Sequence, residues 1–198
     1  MSSAVTPKGE RRRQALVDAA AELLLEGGFD AVRHRAVAAK AGLPLASTTY
    51  YFASLDELIA AAVRRGSEAE IAQMRRHLRH VPQRRRGREA TVELLLDLLV
   101  GAGDAQHLAA RYEWMIAAGR RPELRAVQRF IHSQIDDVVA EACARSARSD
   151  RGRPHRIVAV VDGALIGALC SEELDLRTPV RVLLLDVIDV LAPQTDGD

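Results

Sequence analysis

The stretch "AGLPLASTTYYFASLDEL", Ala41–Leu58, decides how the rest of the chain is read. It holds a Gly-Leu-Pro break at Gly42–Pro44, then small and hydroxyl side chains, then three consecutive aromatics, Tyr50, Tyr51 and Phe52. The 198 residues include only three Phe, three Tyr and one Trp, so three aromatics in a row is a concentration that needs a cause. A helix buried along one stripe spaces its large apolar residues three and four apart. Consecutive aromatics must point in different directions, some toward a core and others toward a partner.

Downstream, Ser54-Leu-Asp-Glu57 has the S-x-x-E spacing of a capping box and opens a long helix over Leu55–His80. That helix is about 39 Å long at about 1.5 Å per residue. Pro82 ends it, and "QRRRGR", Gln83–Arg88, reads as a linker with Arg84–Arg86 in solvent. Upstream, apolar spacing predicts a first helix over Arg11–Glu26, ended by Gly27-Gly28 with Phe29 anchoring the turn. A short second helix fits Arg35–Ala41, and a third Pro44–Tyr51 with proline in its first turn. Five further helices are expected near 88–100, 104–118, 122–147, 154–171 and 179–191, separated by Gly and Pro signals. Alternating strand patterns bounded by hairpin turns do not occur. The expected fold is all-α: a three-helix head over residues 1–54, then the long fourth helix and a helical body over 55–198.

Bulk properties narrow the partners only by exclusion. The net charge is +1, and residues 1–60 carry seven basic and seven acidic side chains, so any claim on nucleic acid must rest on individual residues. Cys143 and Cys170 stand far apart with no CxxC or Cys/His grouping, which argues against a disulfide framework or zinc module and fits a reducing compartment. The N-terminal "MSSAVTPKGERRRQ" is followed by no apolar h-region, and no apolar run reaches about 18 residues. A cytoplasmic protein without membrane association is expected.

Two short helices joined by "AGLP" form a helix-turn-helix, with Gly42 permitting the sharp turn and Ala41 the close packing. The second of the pair must present a face slim enough for a major groove about 12 Å wide. Leu45, Ala46, Ser47 and Thr49 suit that, Tyr50 and Tyr51 can extend hydroxyls to bases or phosphates, and Phe52 fits a core. From Arg12 to Val63 the chain resembles the DNA-binding domain of the TetR/AcrR family of bacterial transcriptional regulators. The residues that carry this are Ala19-Ala20, "LLLEGGF" (Leu23–Phe29), Arg35 with "AVAAKAG", "STTYYF" (Ser47–Phe52), Ser54 and "DEL" (Asp56–Leu58).

The resemblance implies a dimeric, DNA-binding, ligand-responsive regulator, most simply a repressor released from a palindromic operator by a small molecule. Implied DNA contacts are Arg35, Leu45, Ala46, Ser47, Thr49, Tyr50, Tyr51 and Ser54, with Lys40 adding a phosphate contact. Three positions depart from the family pattern. Arg33 replaces the usual capping Thr and brings a cation toward the backbone. Thr49 stands where a phosphate-binding Tyr is usual, so Tyr50 would take its place. Leu55 replaces a phosphate-gripping Lys, and Arg11-Arg12-Arg13 could compensate.

The body is less specific. "RYEWMIAAGRRPEL", Arg111–Leu124, holds the sole Trp. The resemblance implies an effector pocket near Tyr112, Trp114, Met115 and Phe130, with ordinary core packing as the plain alternative for each. The last two helices are apolar almost all round, and a helix with two apolar faces must be covered twice. A symmetric partner is the economical cover. On that reading Val160, Gly163, Ala164, Gly167, Leu184 and Ile188 form the dimer contact, and a ligand acts by tilting the long fourth helix.

Nothing in the sequence asks for catalysis, a cofactor or a metal. His77 and His80 lack a third ligand, and "GAGDAQ", Gly101–Gln106, lacks the strand and third glycine of a dinucleotide loop. The competing reading is an all-α small-molecule binder or enzyme whose head no longer binds DNA, favoured by Leu55 and the balanced head charge.

Overall fold

The computed structural model describes residues 6–101, 105–171 and 175–195. Nine α-helices make up the regular structure of those residues: α1 Pro7–Ala31, α2 His34–Lys40, α3 Ala46–Tyr51, α4 Leu55–His80, α5 Arg88–Leu99, α6 Ala105–Ala118, α7 Pro122–Arg145, α8 His155–Leu169 and α9 Arg177–Leu191. The all-α expectation holds. Of the "GAGDAQ" stretch, Ala102–Asp104 lies outside the described residues.

The first helix starts earlier than its apolar pattern indicated, because Thr6 caps it by accepting the Gly9 amide at 3.2 Å and Pro7 follows in the first turn. Its regular run ends at the glycines, as expected. Gly27 and Gly28 leave helical geometry, with φ of +62° at Gly28, and one further turn forms beyond them.

Chain contacts divide into two compact units, one of Met1–Glu68 with Ala109–Arg129, the other of Ala69–Leu108 with Phe130–Asp198. In the first unit Leu16 and Ala20 of α1, Val37 of α2, Phe52 after α3 and Leu58 of α4 are almost wholly buried. Segment 109–129 adds Tyr112, Trp114 and Leu124 to the buried set.

The second unit is centred on α5, α8 and α9, with Leu95, Leu165, Leu184 and Ile188 fully buried. The expected solvent-exposed linker is corrected at Arg86, which is only 7% exposed. Its guanidinium donates to the carbonyls of Pro82 at 2.7 Å and Arg145 at 2.6 Å, so backbone acceptors meet the buried donors. Arg148 is equally enclosed and donates to Asp189 Oδ1 at 2.7 Å, Ala192 O at 2.8 Å and Thr91 Oγ1 at 3.1 Å. Two buried guanidiniums thus tie the segments after α4, α7 and α9 together. No helix among the described residues is long and apolar enough to cross a membrane.

Candidate nucleic-acid interface

The turn between α2 and α3 is built by a left-handed glycine. The Leu43 amide reaches Ala38 O at 2.9 Å and the Gly42 amide reaches Ala39 O at 3.1 Å, with φ of +65° at Gly42. This is the doubled closure of a helix that ends on a left-handed residue. A Cβ at Gly42 would meet nothing within 4 Å, so conformation alone requires glycine there. Six-residue α3 cannot hold itself helical. It is seated by Thr48, 0% exposed, and by Phe52 one turn later.

Thr48 is a residue that the sequence reading passed over. Its hydroxyl donates to Leu45 O at 2.8 Å, and the same oxygen lies 2.9 Å from Nδ1 of His34 at the start of α2. A hydroxyl has one proton, and Leu45 O receives it. With that proton on Leu45 O, the hydroxyl oxygen is left to accept from Nδ1 of His34 in the tautomer that carries its proton there.

The opposite side of α3 is open. Tyr50 is 80% exposed and meets half-buried Tyr51 edge-on, their rings 4.8 Å apart. Leu45, Ala46 and Thr49 are exposed and Ser47 is half-buried. Thr49 turns its hydroxyl back to Ala46 O at 3.3 Å. Arg35 is exposed, and among the described residues no ion pair holds it. Arg33 occupies the N-cap of α2 without a side-chain cap and pairs with Asp30 at 3.2 Å. Ser54 Oγ accepts the Glu57 amide at 3.0 Å while Glu57 accepts the Ala53 amide at 2.7 Å, so this serine is engaged in starting α4.

Lys40 is already spoken for. Its ammonium lies 2.6 Å from Glu26 and 3.2 Å from Glu22, and hydrogen bonds to these two carboxylates of α1 hold its pKa above the ordinary lysine value. Arg13 stacks over the Phe52 ring at 5.0 Å, which leaves Arg11 and Arg12 as the exposed part of that basic run.

Segment 109–129 grips both flanks of this helix pair. Glu113 accepts the Phe29 amide at 3.2 Å, at the break in α1. Arg121 pairs with Asp56 of α4 at 2.7 Å and lies over the Phe29 ring at 4.8 Å. Neither contact has a local sequence signal. Of the expected effector residues, Tyr112 and Trp114 are buried, and Met115 is half-buried in the same unit. Phe130 is half-buried and belongs to the second unit.

The expected dimer residues separate into two groups. Ala164 is 7% exposed, and Leu184 and Ile188 are 0% exposed, so these side chains serve the protomer's own core and offer a partner no surface. Val160 is half-buried, while Gly163 and Gly167 are exposed with nothing within 4 Å of a built Cβ. Ala159, Ile166 and Cys170 share that open side of α8, with exposed Arg156 at its N-terminal end, and Val182, Leu183 and Val190 are exposed on α9.

A short helix seated on one side and bare on the other, inside a helix-turn-helix and followed by a helical body, is the architecture of a DNA-binding transcriptional regulator. Residues 16–62 match the family described as "Bacterial regulatory proteins, tetR family", and residues 86–190 match "Tetracyclin repressor-like, C-terminal domain". The chain belongs to the TetR family. The multidrug binding protein EbrR complexed with proflavin is 30% identical with a TM-score of 0.69, the match covering 89% of this chain and 99% of that one. EbrR complexed with ethidium is 31% identical at a TM-score of 0.67, covering 87% and 96%. The transcriptional regulator SCO7518 from Streptomyces coelicolor A3(2) is 25% identical at 0.71, covering 91% and 98%. No curated protein matches the chain.

Proposed function

We propose that this protein is a dimeric repressor that leaves a palindromic operator when a small molecule binds. The observation that carries the DNA-reading part is the two-sidedness of α3, with Thr48 and Phe52 buried and Tyr50 80% exposed. Arg35, Leu45, Ala46, Ser47, Thr49 and Tyr50 are then the groove-facing set, with Tyr51, Arg33 and Ser54 at its margin. The dimer contact is assigned to the open small-residue side of α8 and the exposed apolar residues of α9, centred on Gly163 and Gly167. Two heads related by that symmetry would read half-sites on one face of the duplex.

For the effector, the likeness to EbrR favours a planar aromatic cation of the kind that proflavin and ethidium represent. Signal transfer is assigned to segment 109–129, because Tyr112 and Trp114 flank Glu113, and Glu113 and Arg121 hold Phe29 and Asp56. A ligand that binds one arrangement of this segment better than the other shifts the head, and DNA must weaken that ligand by the same factor.

The rival reading, a helical binding protein that has lost DNA affinity, draws on Leu55 and on the engagement of Lys40 by two glutamates. A gel shift with the DNA upstream of the protein's own gene, at fixed salt and with proflavin added in a second series, separates the two. A retained band that proflavin disperses supports the repressor. Proflavin binding with no shift at any protein concentration would establish the rival.

A further inference from the structure

We propose that His34 and Thr48 together set the rotation of α3 about its own axis, and so act as positioning residues for sequence discrimination. The inference rests on the DNA-reading role proposed above. α3 has one buried side chain within its span, and that side chain is a threonine rather than a hydrocarbon. Apolar contact is non-directional and tolerates a small roll of a short helix. A hydrogen bond is not tolerant, since its strength falls steeply with angle.

Thr48 is held from two sides. Its proton goes to Leu45 O at 2.8 Å, one turn back in the same helical segment, so the hydroxyl oxygen has a fixed direction. His34 Nδ1 meets that oxygen at 2.9 Å from the first residue of α2. α2 is in turn anchored by Val37 and Ala38, both buried. The imidazole therefore transmits the position of α2 to the azimuth of α3. A roll of about 20° at a side-chain radius of about 5 Å moves a tip by about 2 Å. That exceeds the window of a base contact, and Tyr50 stands at such a tip.

The test begins with duplexes selected from a random pool by the wild-type protein. Affinity for the selected site and for a scrambled duplex is then measured at several salt concentrations for Thr48→Val, His34→Ala, Thr48→Ser and His34→Asn, with thermal unfolding alongside. Thr48→Val keeps the side-chain shape and removes the acceptor, and His34→Ala removes the donor if the valine variant does not fold. Each is expected to lower the ratio of specific to scrambled affinity by at least about tenfold, the worth of a lost base contact, with the salt slope unchanged. Thr48→Ser and His34→Asn, which keep the acceptor and a donor near Nδ1, should restore most of the ratio. An unchanged ratio in both disruptive variants overturns the proposal. So does a parallel fall in both affinities that tracks the melting temperature, because the pair would then be merely structural. A wild-type protein that enriches no sequence would instead overturn the DNA-reading role itself.

Discussion

The carboxylate of Glu113 accepts the backbone amide of Phe29, 84 positions earlier in the chain, at 3.2 Å. The contact needs a gap, and Gly28 supplies it, since a Cβ there would collide with the Glu113 carboxylate. Gly28 also has φ of +62°.

Gly28→Ala should therefore cost more than Gly42→Ala, although both glycines are left-handed. A left-handed alanine costs roughly 1–2 kcal/mol, which is the whole expected effect at Gly42. At Gly28 the displaced carboxylate adds to it. Urea unfolding should rank the two variants in that order, and Glu113→Ala should relieve part of the Gly28→Ala penalty. Additive losses in that double-mutant cycle would mean that the two residues do not meet.

Tyr50→Ala and Arg35→Ala are expected to weaken operator binding by about 1–3 kcal/mol each at constant salt. Stability should move by no more than about 0.5 kcal/mol, because both side chains are exposed. Unchanged affinity in both variants would remove α3 from the groove.

Gly163→Arg and Gly167→Arg should yield a folded monomer in light scattering, since a built Cβ at either position meets open space. Leu184→Ala should behave oppositely, leaving the assembly state alone while costing about 2–5 kcal/mol of stability. A Gly163→Arg protein that remains dimeric would place the partner elsewhere.

Burial pushes the Cys143 thiol up to about 12, whereas Cys170 is exposed. The native state holds the Cys143 proton through a range in which the unfolded chain, titrating near 9.0, has lost it. Its contribution is complete below that value and is lost as pH rises toward 12. Urea midpoints at pH 8 and pH 10.5 should fall less steeply for Cys143→Ala than for the wild type. A thiol reagent at pH 8 should leave Cys143 unlabelled until denaturant is added.

The fold was legible because its signals are local. Gly42 and Pro44 break the chain at the turn, and Ser54 with Glu57 starts α4 where the capping spacing placed it. The exposed face of the helix-turn-helix was legible and its seat was not. Thr48 looks like another surface hydroxyl until His34, 14 positions away, is folded against it. Arg86 reads as linker charge because its acceptors are backbone carbonyls, which no side-chain pattern reveals. Leu184 and Ile188 lie on a helix apolar on most sides, and spacing alone cannot say which side the protomer keeps for itself.

The placement of Ala109–Arg129 in one compact unit with Met1–Glu68 bears on how such regulators can be recombined. A chimera cut once after Ser54 would carry Gly28 and Phe29 away from Glu113 and Arg121, and would leave only the Asp56–Arg121 pair of that grip intact. Sensor and reader are interchangeable here only as a two-piece graft, in which the helix-turn-helix travels with the segment that grips it. On the function proposed above, homologous exchange at a single crossover would produce proteins whose head no longer answers the ligand.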